Sequence, residues 1–293
     1  MPLLQTNRAG LVSTNITGRI APPRIHAEAM TIDENGKVRY LPGTGGVALG
    51  VHAGDSVTQW VAAHLMPGAS IEDATTTPAH PGTLHLLSCV GNRVRDAAGK
   101  TIGVVAGKRG GLAPGAWAPQ LVGVEVCDSV AASLNCEDKV VVETVGRGLA
   151  LIDHPEVLLC NMSPRLLDAM PLVEAQGALV CDVRMIVPPE TAGAGLGQDS
   201  WVGDLEITDD HLAAGLRFGD LVAFSDIDSA TTRHFQTGMV SIGLVSHGPG
   251  HAPGHGVGVT ILMTARSDHL RPVIAPCTLP KLLIDWSTES DGS

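Results

Sequence analysis

Several short stretches of the chain alternate between hydrophobic and polar positions. Every second residue is apolar from Cys181 to Val187, and the same spacing recurs from Val257 to Met263. A period of two directs apolar side chains to one face of a β-strand. Further aliphatic or β-branched runs of strand length cover residues 139–143, 149–152, 157–159, 221–224 and 239–245. The pattern predicts a mostly β protein with a few short helices, an α+β fold built from β-barrel-like modules in two parts.

Helical features are confined to three short segments. They cover residues 57–65, 165–170 and 208–215. In the first segment the apolar residues follow a spacing of three and four. Ser163 and Pro164 provide a favourable N-cap and first helical residue for the second. Asp209 and Asp210 place negative charge in the first turn of the third.

Glycine and proline, with 35 and 19 residues, interrupt the chain at many points. Gly146 and Gly148 separate two β-rich halves, which predicts an N-terminal domain over residues 1–148 and a C-terminal domain over residues 149–293. Glycines within residues 92–111 are spaced as in tight turns around a strand, so we expect an SH3-like segment in the N-terminal domain. The C-terminal domain carries a histidine-rich loop.

Charge and composition narrow the classes of partner. The formal charge is −11, from 19 Lys and Arg against 30 Asp and Glu, and aromatic residues make up only 3% of the chain. Such a surface repels phosphate backbones and offers few stacking platforms, so neither a nucleic acid nor a membrane is expected as a partner. The six cysteines form no CxxC pair, which favours reduced thiols and a cytoplasmic protein. We expect a homo-oligomer that binds a small molecule.

The strongest candidate site is the loop that contains His247, His251 and His255. Glycine and proline between the three histidines exclude a regular helix, so the imidazoles project from a loop between two strands. Neutral imidazole is a good metal ligand, and it is also an acid or base near neutral pH. His251, in the middle of the loop, is expected to face solvent, and Gly254 is expected to line the substrate site. The alternative is that one histidine caps a turn and the others are solvated.

Asp226 and Asp228 follow a predicted strand directly. If the strand continues, its alternation places both carboxylates on one side. They would then share a pocket with His247 and His255, either as ligands of a divalent metal ion or, for Asp226, as a base. The alternative is a solvated turn, because aspartate favours turns.

Three further residues are candidates for the chemistry or the lining of the pocket. Cys89 precedes a glycine turn, where a thiol can act as a nucleophile, although most free cysteines are small buried hydrophobic residues. Asn92 would line the same pocket. His154 is a candidate general base, with a turn residue as the alternative.

Lys108 lies among glycines in a segment suited to binding an anion. The backbone N–H groups of Gly110 and Gly111, together with one cation, fit a carboxylate or phosphate. The spacing of a nucleotide-binding P-loop is missing, so no nucleotide cofactor is expected. Residues 192–199 carry glycines without the dinucleotide-binding spacing and are interpreted as a mobile lid or a turn-rich loop.

An ordered series of short segments resembles the domain-of-unknown-function family 4438 of bacteria and archaea. The segments are Thr6–Asn7, Ile16–Pro22, Leu87–Asn92, Gly107–Gly111, Leu151–Pro155, Ser241–Gly243, Gly254–Gly256 and Val259–Thr264. The resemblance covers nearly the whole chain. It implies a mostly β fold with a few helices in two parts, and it implies no particular reaction.

These observations together predict an enzyme of the hydrolase or lyase type that acts on a small, polar, anionic metabolite. His247, His255, Asp226 and Asp228 would bind a divalent metal ion or move protons. Lys108 would bind the charge of the substrate. The alternative is a non-catalytic small-molecule-binding or assembly protein.

Overall fold

The computed structural model describes residues 4–24, 30–32, 35–74, 82–110 and 120–289. Within these ranges the protein has 18 β-strands and five short α-helices, so the predicted mostly β architecture is confirmed. No helix in the described ranges is long and apolar enough to cross a membrane.

The strands are named in chain order. They are β1 (Thr14–Ile20), β2 (Met30–Ile32), β3 (Val38–Tyr40), β4 (Val47–Ala48), β5 (Gly68–Asp73), β6 (Arg93–Asp96), β7 (Thr101–Arg109), β8 (Leu121–Glu125), β9 (Lys139–Thr144), β10 (Leu158–Leu159), β11 (Leu172–Ala175), β12 (Ala178–Val183), β13 (Met185–Val187), β14 (Leu205–Ile207), β15 (Leu221–Asp228), β16 (His234–His247), β17 (Val257–Arg266) and β18 (Leu270–Ile274). The helices are α1 (Thr83–Leu87), α2 (Asp128–Ala131), α3 (Pro164–Ala169), α4 (Asp210–Ala213) and α5 (Leu279–Ser287).

The N-terminal strands form a closed barrel. Six antiparallel strands follow the order β1-β9-β6-β7-β8-β5, and the pairing of β5 with β1 closes the ring, while β4 pairs with the first two residues of β5. The barrel is filled by aliphatic side chains such as Ile71, Val94, Val124 and Val142. All nine residues of β7 are buried, including the two cations Lys108 and Arg109 at its end. The segment predicted to be SH3-like contributes the β6–β7 hairpin to this barrel.

The C-terminal strands form a second sheet around three long antiparallel partners. Its order is β10-β17-β16-β15-β13, with β14 paired to the same edge of β17 as β10 but nearer the start of that strand. A three-stranded sheet, β11-β12-β18, shares no strand pairing with it but packs against it in one hydrophobic cluster. One hydrophobic cluster contains residues of both halves, among them Val104 of β7 and Leu244 of β16, so the core is continuous from the barrel to the second sheet. The boundary at residues 148 and 149 stays a prediction.

Two of the three predicted helices are confirmed, and their caps explain them. The Oγ of Ser163 accepts a hydrogen bond from the backbone N–H of Leu166 at the start of α3, and Asp209 caps α4 in the same way. The helix predicted over residues 57–65 is wrong, because that segment consists of turns and bends. Its backbone N–H groups donate to remote carbonyls instead, including that of Pro249. Tertiary hydrogen bonds therefore replace the local helical ones.

The strand predicted over residues 149–152 is also wrong. Only Leu151 forms a bridge, with Thr6, and the remainder of the segment is irregular. Because Leu151 pairs with the N-terminal segment at this one residue only, no β-ladder forms along residues 149–152.

Candidate functional site

The histidine-rich loop connects β16 to β17 and folds against the segment that precedes β5. The backbone N–H of His64 donates to the Pro249 carbonyl at 2.9 Å, and the Gly248 N–H donates to the Leu65 carbonyl at 2.8 Å. These two bonds bring His64, with its left-handed φ of 51°, beside the loop. A side chain at Gly250 would overlap the His64 ring, so a glycine is required there for the two segments to meet.

A second glycine brings an acidic strand and the histidine together. Gly258 of β17 pairs with Glu206 of β14 on one side and with His247 of β16 on the other. A Cβ at Gly258 would overlap the Nε2 of His247. Because the middle strand carries no side chain here, the imidazole and the carboxylate reach each other across it, with His247 Nε2 at 4.0 Å from Glu206 Oε1.

His247 is fully buried and both of its ring nitrogens face oxygen atoms. Nδ1 lies 2.7 Å from the Gly248 carbonyl, and Nε2 lies 2.9 Å from Asp204 Oδ2. The carbonyl can only accept, so Nδ1 carries a proton, and Nε2 is aimed at the carboxylates. The other oxygen of Asp204 accepts the Gly110 N–H at 3.1 Å.

Two more histidines complete the cluster around Glu206. His64 Nδ1 lies 3.9 Å from Glu206 Oε1, and His255 Nδ1 lies 3.3 Å from the same carboxylate. The Gly256 N–H donates to Glu206 Oε2 at 2.6 Å and fixes its orientation. His64, Glu206 and His247 each offer a ligand atom, and these atoms lie within 4.8 Å of one another in a buried position. His255 is half-buried and forms the outer side of the cluster.

Burial and neighbouring charges shift the pKa values of this cluster. Burial alone would lower the pKa of His247, but the Asp204 carboxylate outweighs it and raises that pKa above its ordinary value. Burial would raise the pKa of Asp204, but His247, Arg109 and Arg233 together lower it. The pKa of His64 is lowered, first by burial and then by the positive charge of Arg109. The protein therefore favours an ionised Asp204 beside a protonated His247 and a neutral His64.

Three cations are buried beside the cluster. Arg109, Arg233 and Lys108 rank among the largest fully buried side chains of the described residues. Burial lowers the pKa of Arg233 to about 10 and that of Lys108 to about 7. Burial and the charge of Lys108 lower the pKa of His85, whose Nε2 faces the Arg109 carbonyl at 3.1 Å, to about 3. Arg233 remains a cation at neutral pH, whereas Lys108 is poised between its two states.

Asn161 fixes the position of the Lys108 amine. The Asn161 Nδ2 donates to the carbonyls of Ser200 and Ile261 at 2.8 and 2.9 Å, which leaves Oδ1 to accept from Lys108 Nζ at 2.8 Å. Lys108 Nζ also donates to the Trp201 carbonyl at 3.2 Å. Both acceptors are neutral, so the lysine is held without an ion pair in the described part of the chain.

The structure brings His247 and His255 together, as predicted, but not with the predicted aspartates. Asp226 Oδ1 accepts the Gly238 N–H at 2.7 Å, and Asp228 lies 3.8 Å from His234 Nε2. A register shift between Ser225 and Ile227, together with a φ of 53° at Asp226, interrupts the alternation on which the shared side depended.

The register of the β15–β16 pair explains the separation. Asp228 pairs with His234 at one end, whereas Leu221 pairs with Leu244 at the end from which His247 projects. The eight residues of β15 place these ends about 20 Å apart at about 3.3 Å per residue. Asp204 and Glu206 therefore replace Asp226 and Asp228 as the carboxylates beside His247.

Cys89, Asn92 and His154 lie outside the cluster. The Cys89 thiol is completely buried and 3.8 Å from the Leu87 carbonyl, and burial raises its pKa. Asn92 accepts the Cys89 N–H at 2.8 Å and donates to the Val145 carbonyl, which holds the glycine turn. His154 contacts Glu174 at 3.9 Å. These contacts stabilise turns and packing.

The glycine-rich candidates have mixed outcomes. Gly110 donates to Asp204 and so belongs to the cluster, whereas Gly111 lies outside the described residues. Gly254 accepts the Ala194 N–H at 2.9 Å, which ties the histidine-rich loop to residues 192–199. Those residues form turns between two isolated bridges, at Ala192 and Asp199, in agreement with a turn-rich loop. His251 is exposed, as predicted.

Sequence reasoning missed five residues of the site. Asp204 and Glu206 carried a usable signal, since they alternate with apolar neighbours and so share one face of a strand. His64 was obscured by the helical spacing of its neighbours. Arg109 and Arg233 gave no signal, because charged residues in a sequence are interpreted first as solvated.

The arrangement is suited to two kinds of chemistry. Two imidazoles and a carboxylate within reach of one point are a donor set for Zn²⁺, Fe²⁺, Mn²⁺ or Ni²⁺. The buried pair of His247 and Asp204 can also hold and release a proton.

Comparisons with known proteins identify relatives whose function is not stated. The model "Domain of unknown function (DUF4438), N-terminal" matches residues 30–168, and its C-terminal counterpart matches residues 169–279. None of the curated proteins matches the chain. The crystal structure of TM1086 is similar, with a TM-score of 0.86 and 30% identity over 95% of this chain and 98% of that one. The chain therefore belongs to the DUF4438 family of proteins.

Proposed function

We propose that the protein is a hydrolase or lyase that acts on a small, polar, anionic metabolite with the help of a divalent metal ion. The ion would be held by His64, Glu206 and His247, with Asp204 as a further ligand. One observation carries the proposal, namely that the three ligand atoms of the first set lie within 4.8 Å of one another in a buried position.

The separations within the cluster support a metal ion. Ligand atoms about 2.1 Å from one ion are about 3 Å apart when they subtend a right angle and about 4 Å apart when they lie opposite each other. His247 Nε2 is 2.9 Å from Asp204 and 4.0 Å from Glu206, and His64 Nδ1 is 3.9 Å from Glu206. The contact of His247 Nδ1 with the Gly248 carbonyl supplies the orienting bond that metal-bound histidines usually have.

The neighbouring residues support an anionic substrate. Arg109 and Arg233 supply buried positive charge beside Asp204. A bound metal ion would polarise a carbonyl group or lower the pKa of a bound water. His255, half-buried at the outer side, would exchange protons between the site and solvent.

A second candidate keeps the substrate and reaction classes but uses no metal ion. Its support is the pair of His247 and Asp204, in which Nε2 and Oδ2 are 2.9 Å apart while Nδ1 faces a carbonyl. A doubly protonated imidazole satisfies both contacts, so His247 would then act as a general acid.

Metal analysis of untagged protein tests the first candidate. We expect about one divalent ion per chain in the wild type and almost none in Glu206→Gln, which retains the shape of the side chain without its charge. Asp228→Asn is the matched control, since Asp228 lies at the far end of β15, and its metal content should equal that of the wild type. Metal loss in Asp228→Asn with retention in Glu206→Gln would overturn the assignment.

Turnover tests the function itself. Wild-type protein loaded with Zn²⁺ or Mn²⁺ should cleave at least one member of a panel of small carboxylate- and phosphate-bearing esters, amides and hydroxy acids. Glu206→Gln should lose that activity and Asp228→Asn should keep it. Equal activity in Glu206→Gln would exclude this cluster as the site, and metal-independent activity that requires His247 would favour the second candidate.

A further inference from the structure

We propose that Arg233 is the anion-binding residue of this site, and that its ligand is a compact oxyanion group, a carboxylate or a phosphate, on the substrate. The inference rests on the proposed function, because it places this group beside the proposed metal ligands. It adds the residue that recognises the substrate and the chemical class that it recognises.

Arg233 is buried with only part of its hydrogen-bonding capacity used. Its Nη2 donates to the Asp199 carbonyl at 2.9 Å and to the Val202 carbonyl. Its Nε and Nη1 are buried and make no hydrogen bond within the described part of the chain. Buried guanidinium groups are normally saturated with acceptors, because an unpaired buried donor loses its hydrogen bonds to water without replacement, and the loss is larger for a charged group.

Other buried polar atoms nearby also lack partners among the described residues. The Oγ of Ser200 is one residue from the carbonyl that Arg233 binds, and the Nδ1 of His85 is within electrostatic range of Arg233 and Asp204. With Nε2 donating to a carbonyl, the Nδ1 of a neutral His85 is an acceptor. The unused donors of Arg233 and Ser200 and the unused acceptor of His85 fit a polar ligand that carries both oxyanion and hydroxyl groups.

Charge balance points to an anion. Arg233 forms no ion pair with a described carboxylate, and Asp204 is the charged group that most favours its cationic form against burial. A metal ion at the His64–Glu206–His247 cluster would engage Asp204 and Glu206 and leave Arg233 uncompensated. A buried cation without a counter-charge is strongly unfavourable, so an anionic ligand group would bind most tightly when the metal is present.

Hydrogen bonds hold Arg233, in the β15–β16 connection, against the segment that carries Asp204. The backbone N–H of Arg233 donates to the Gln198 carbonyl at 2.9 Å, and its carbonyl accepts the Gly197 N–H at 2.7 Å. With the side-chain bonds to residues 199 and 202, these contacts connect Arg233 to the segment that ends at Asp204. The cation is thereby positioned before any ligand arrives, which reduces the entropy that binding costs.

The experiment is an anion titration of the full-length protein, followed in two ways. Isothermal titration calorimetry measures the binding of oxalate and of inorganic phosphate in separate titrations, each with and without Zn²⁺. Separate titrations distinguish a carboxylate ligand from a phosphate ligand. The Nε–H resonance of Arg233, assigned by comparison with Arg233→Lys, reports the contact directly in the wild type. Arg271→Lys is the control. Arg271 is on β18, away from the site, and donates to the carbonyl of Ala175 on β11 at 2.9 Å.

We expect at least one of the two anions to bind and to shift the Arg233 Nε–H resonance. Arg233→Lys should weaken that binding about 10- to 100-fold, the loss expected for one charge-assisted hydrogen bond, while Arg271→Lys leaves it unchanged. Binding that is equal in Arg233→Lys, an unshifted resonance at saturating anion, or no binding of either anion would overturn the inference. If Arg233→Lys fails to fold, the resonance in the wild type, assigned through bonds, decides alone.

The design separates this inference from the proposed function. If an anion binds at Arg233 but the protein takes up no metal ion, the inferred anion site is supported and the metal-assisted reaction is refuted. If the protein binds the metal ion but neither anion affects Arg233, the metal site is supported and the anion site is refuted.

Discussion

His247 Nε2 and Asp204 Oδ2 lie 2.9 Å apart, although His247 is the last residue of β16 and Asp204 immediately precedes β14. The contact is buried, and the two groups stabilise each other's charged forms. A proton or a metal ion must lie between a ring nitrogen and a carboxylate at this distance, so the pair is the most informative contact of the site.

The pair makes folding stability dependent on pH. The pKa of His247 is raised above 6.5, so its contribution is complete below 6.5 and is lost as the pH rises through the folded value. The pKa of Asp204 is lowered below 3.8, so its contribution is present above 3.8 and is lost as the pH falls through the folded value. In metal-free protein, the difference in unfolding free energy between the wild type and Asp204→Asn should be greatest between these limits.

Urea denaturation at intervals from pH 4 to pH 9 measures that difference. His234→Ala is the control, because His234 is exposed and lies at the other end of the hairpin. A difference that grows as the pH rises above 6.5 would contradict the assignment of the charged pair.

Gly258→Ala should disrupt the site while preserving the barrel. The added methyl group overlaps His247 Nε2, and the buried ring has little room to move. We expect a loss of about 1–3 kcal/mol in unfolding free energy and a marked loss of bound metal. Gly10→Ala is the matched control, since a Cβ there meets nothing within 4 Å. Wild-type metal content in Gly258→Ala, measured together with its denaturation curve, would show that the ring does not occupy this place.

Lys108 should make stability depend on pH in the opposite sense to His247, and Lys108→Met should remove that dependence. The pKa of Lys108 falls from 10.5 to about 7 on folding, so the wild type loses stability as the pH decreases between those values. Methionine does not titrate, and the variant should therefore gain stability relative to the wild type as the pH is lowered from 10 to 7. If the unfolding free energies of the wild type and of Lys108→Met change in parallel across that pH range, Lys108 remains charged in the folded protein.

The thiols should react in an order set by burial and pKa. Cys136 is exposed. Burial alone would raise the pKa of the partly exposed Cys127, but hydrogen bonds with Ser129 and nearby backbone N–H groups together outweigh it and lower that pKa. Both should react with iodoacetamide at pH 7.5 before Cys89 and Cys160, whose pKa values are raised by burial. Peptide mass spectrometry of briefly labelled protein gives the order. Early labelling of Cys89 would instead restore it as a candidate nucleophile.

Much of the fold was predictable from local pattern. Alternation identified the strands that became β12, β13 and β17, and aliphatic runs identified those that became β15 and β16. Ser163 as an N-cap, and Asp209 and Asp210 as first-turn charges, identified two helix starts. The helix predicted over residues 57–65 failed for a tertiary reason. Residues 57–65 have helical spacing, but their N–H groups donate to distant carbonyls, which no local pattern encodes.

The sequence by itself determined that a loop separates His247 from His255, because the glycines and prolines between them exclude a helix. The structure places His247 at the end of β16, where that loop begins. Only the tertiary structure decided which groups the two histidines meet. The antiparallel register sends Asp228 to the far end of the hairpin, while the pairing of β14 with β17 brings Glu206 across Gly258. The physical reason is the distance along the sequence over which each effect acts. Steric and local hydrogen-bonding preferences act over a few residues. A site assembled from several segments depends instead on strand register and on tertiary hydrogen bonds between loops.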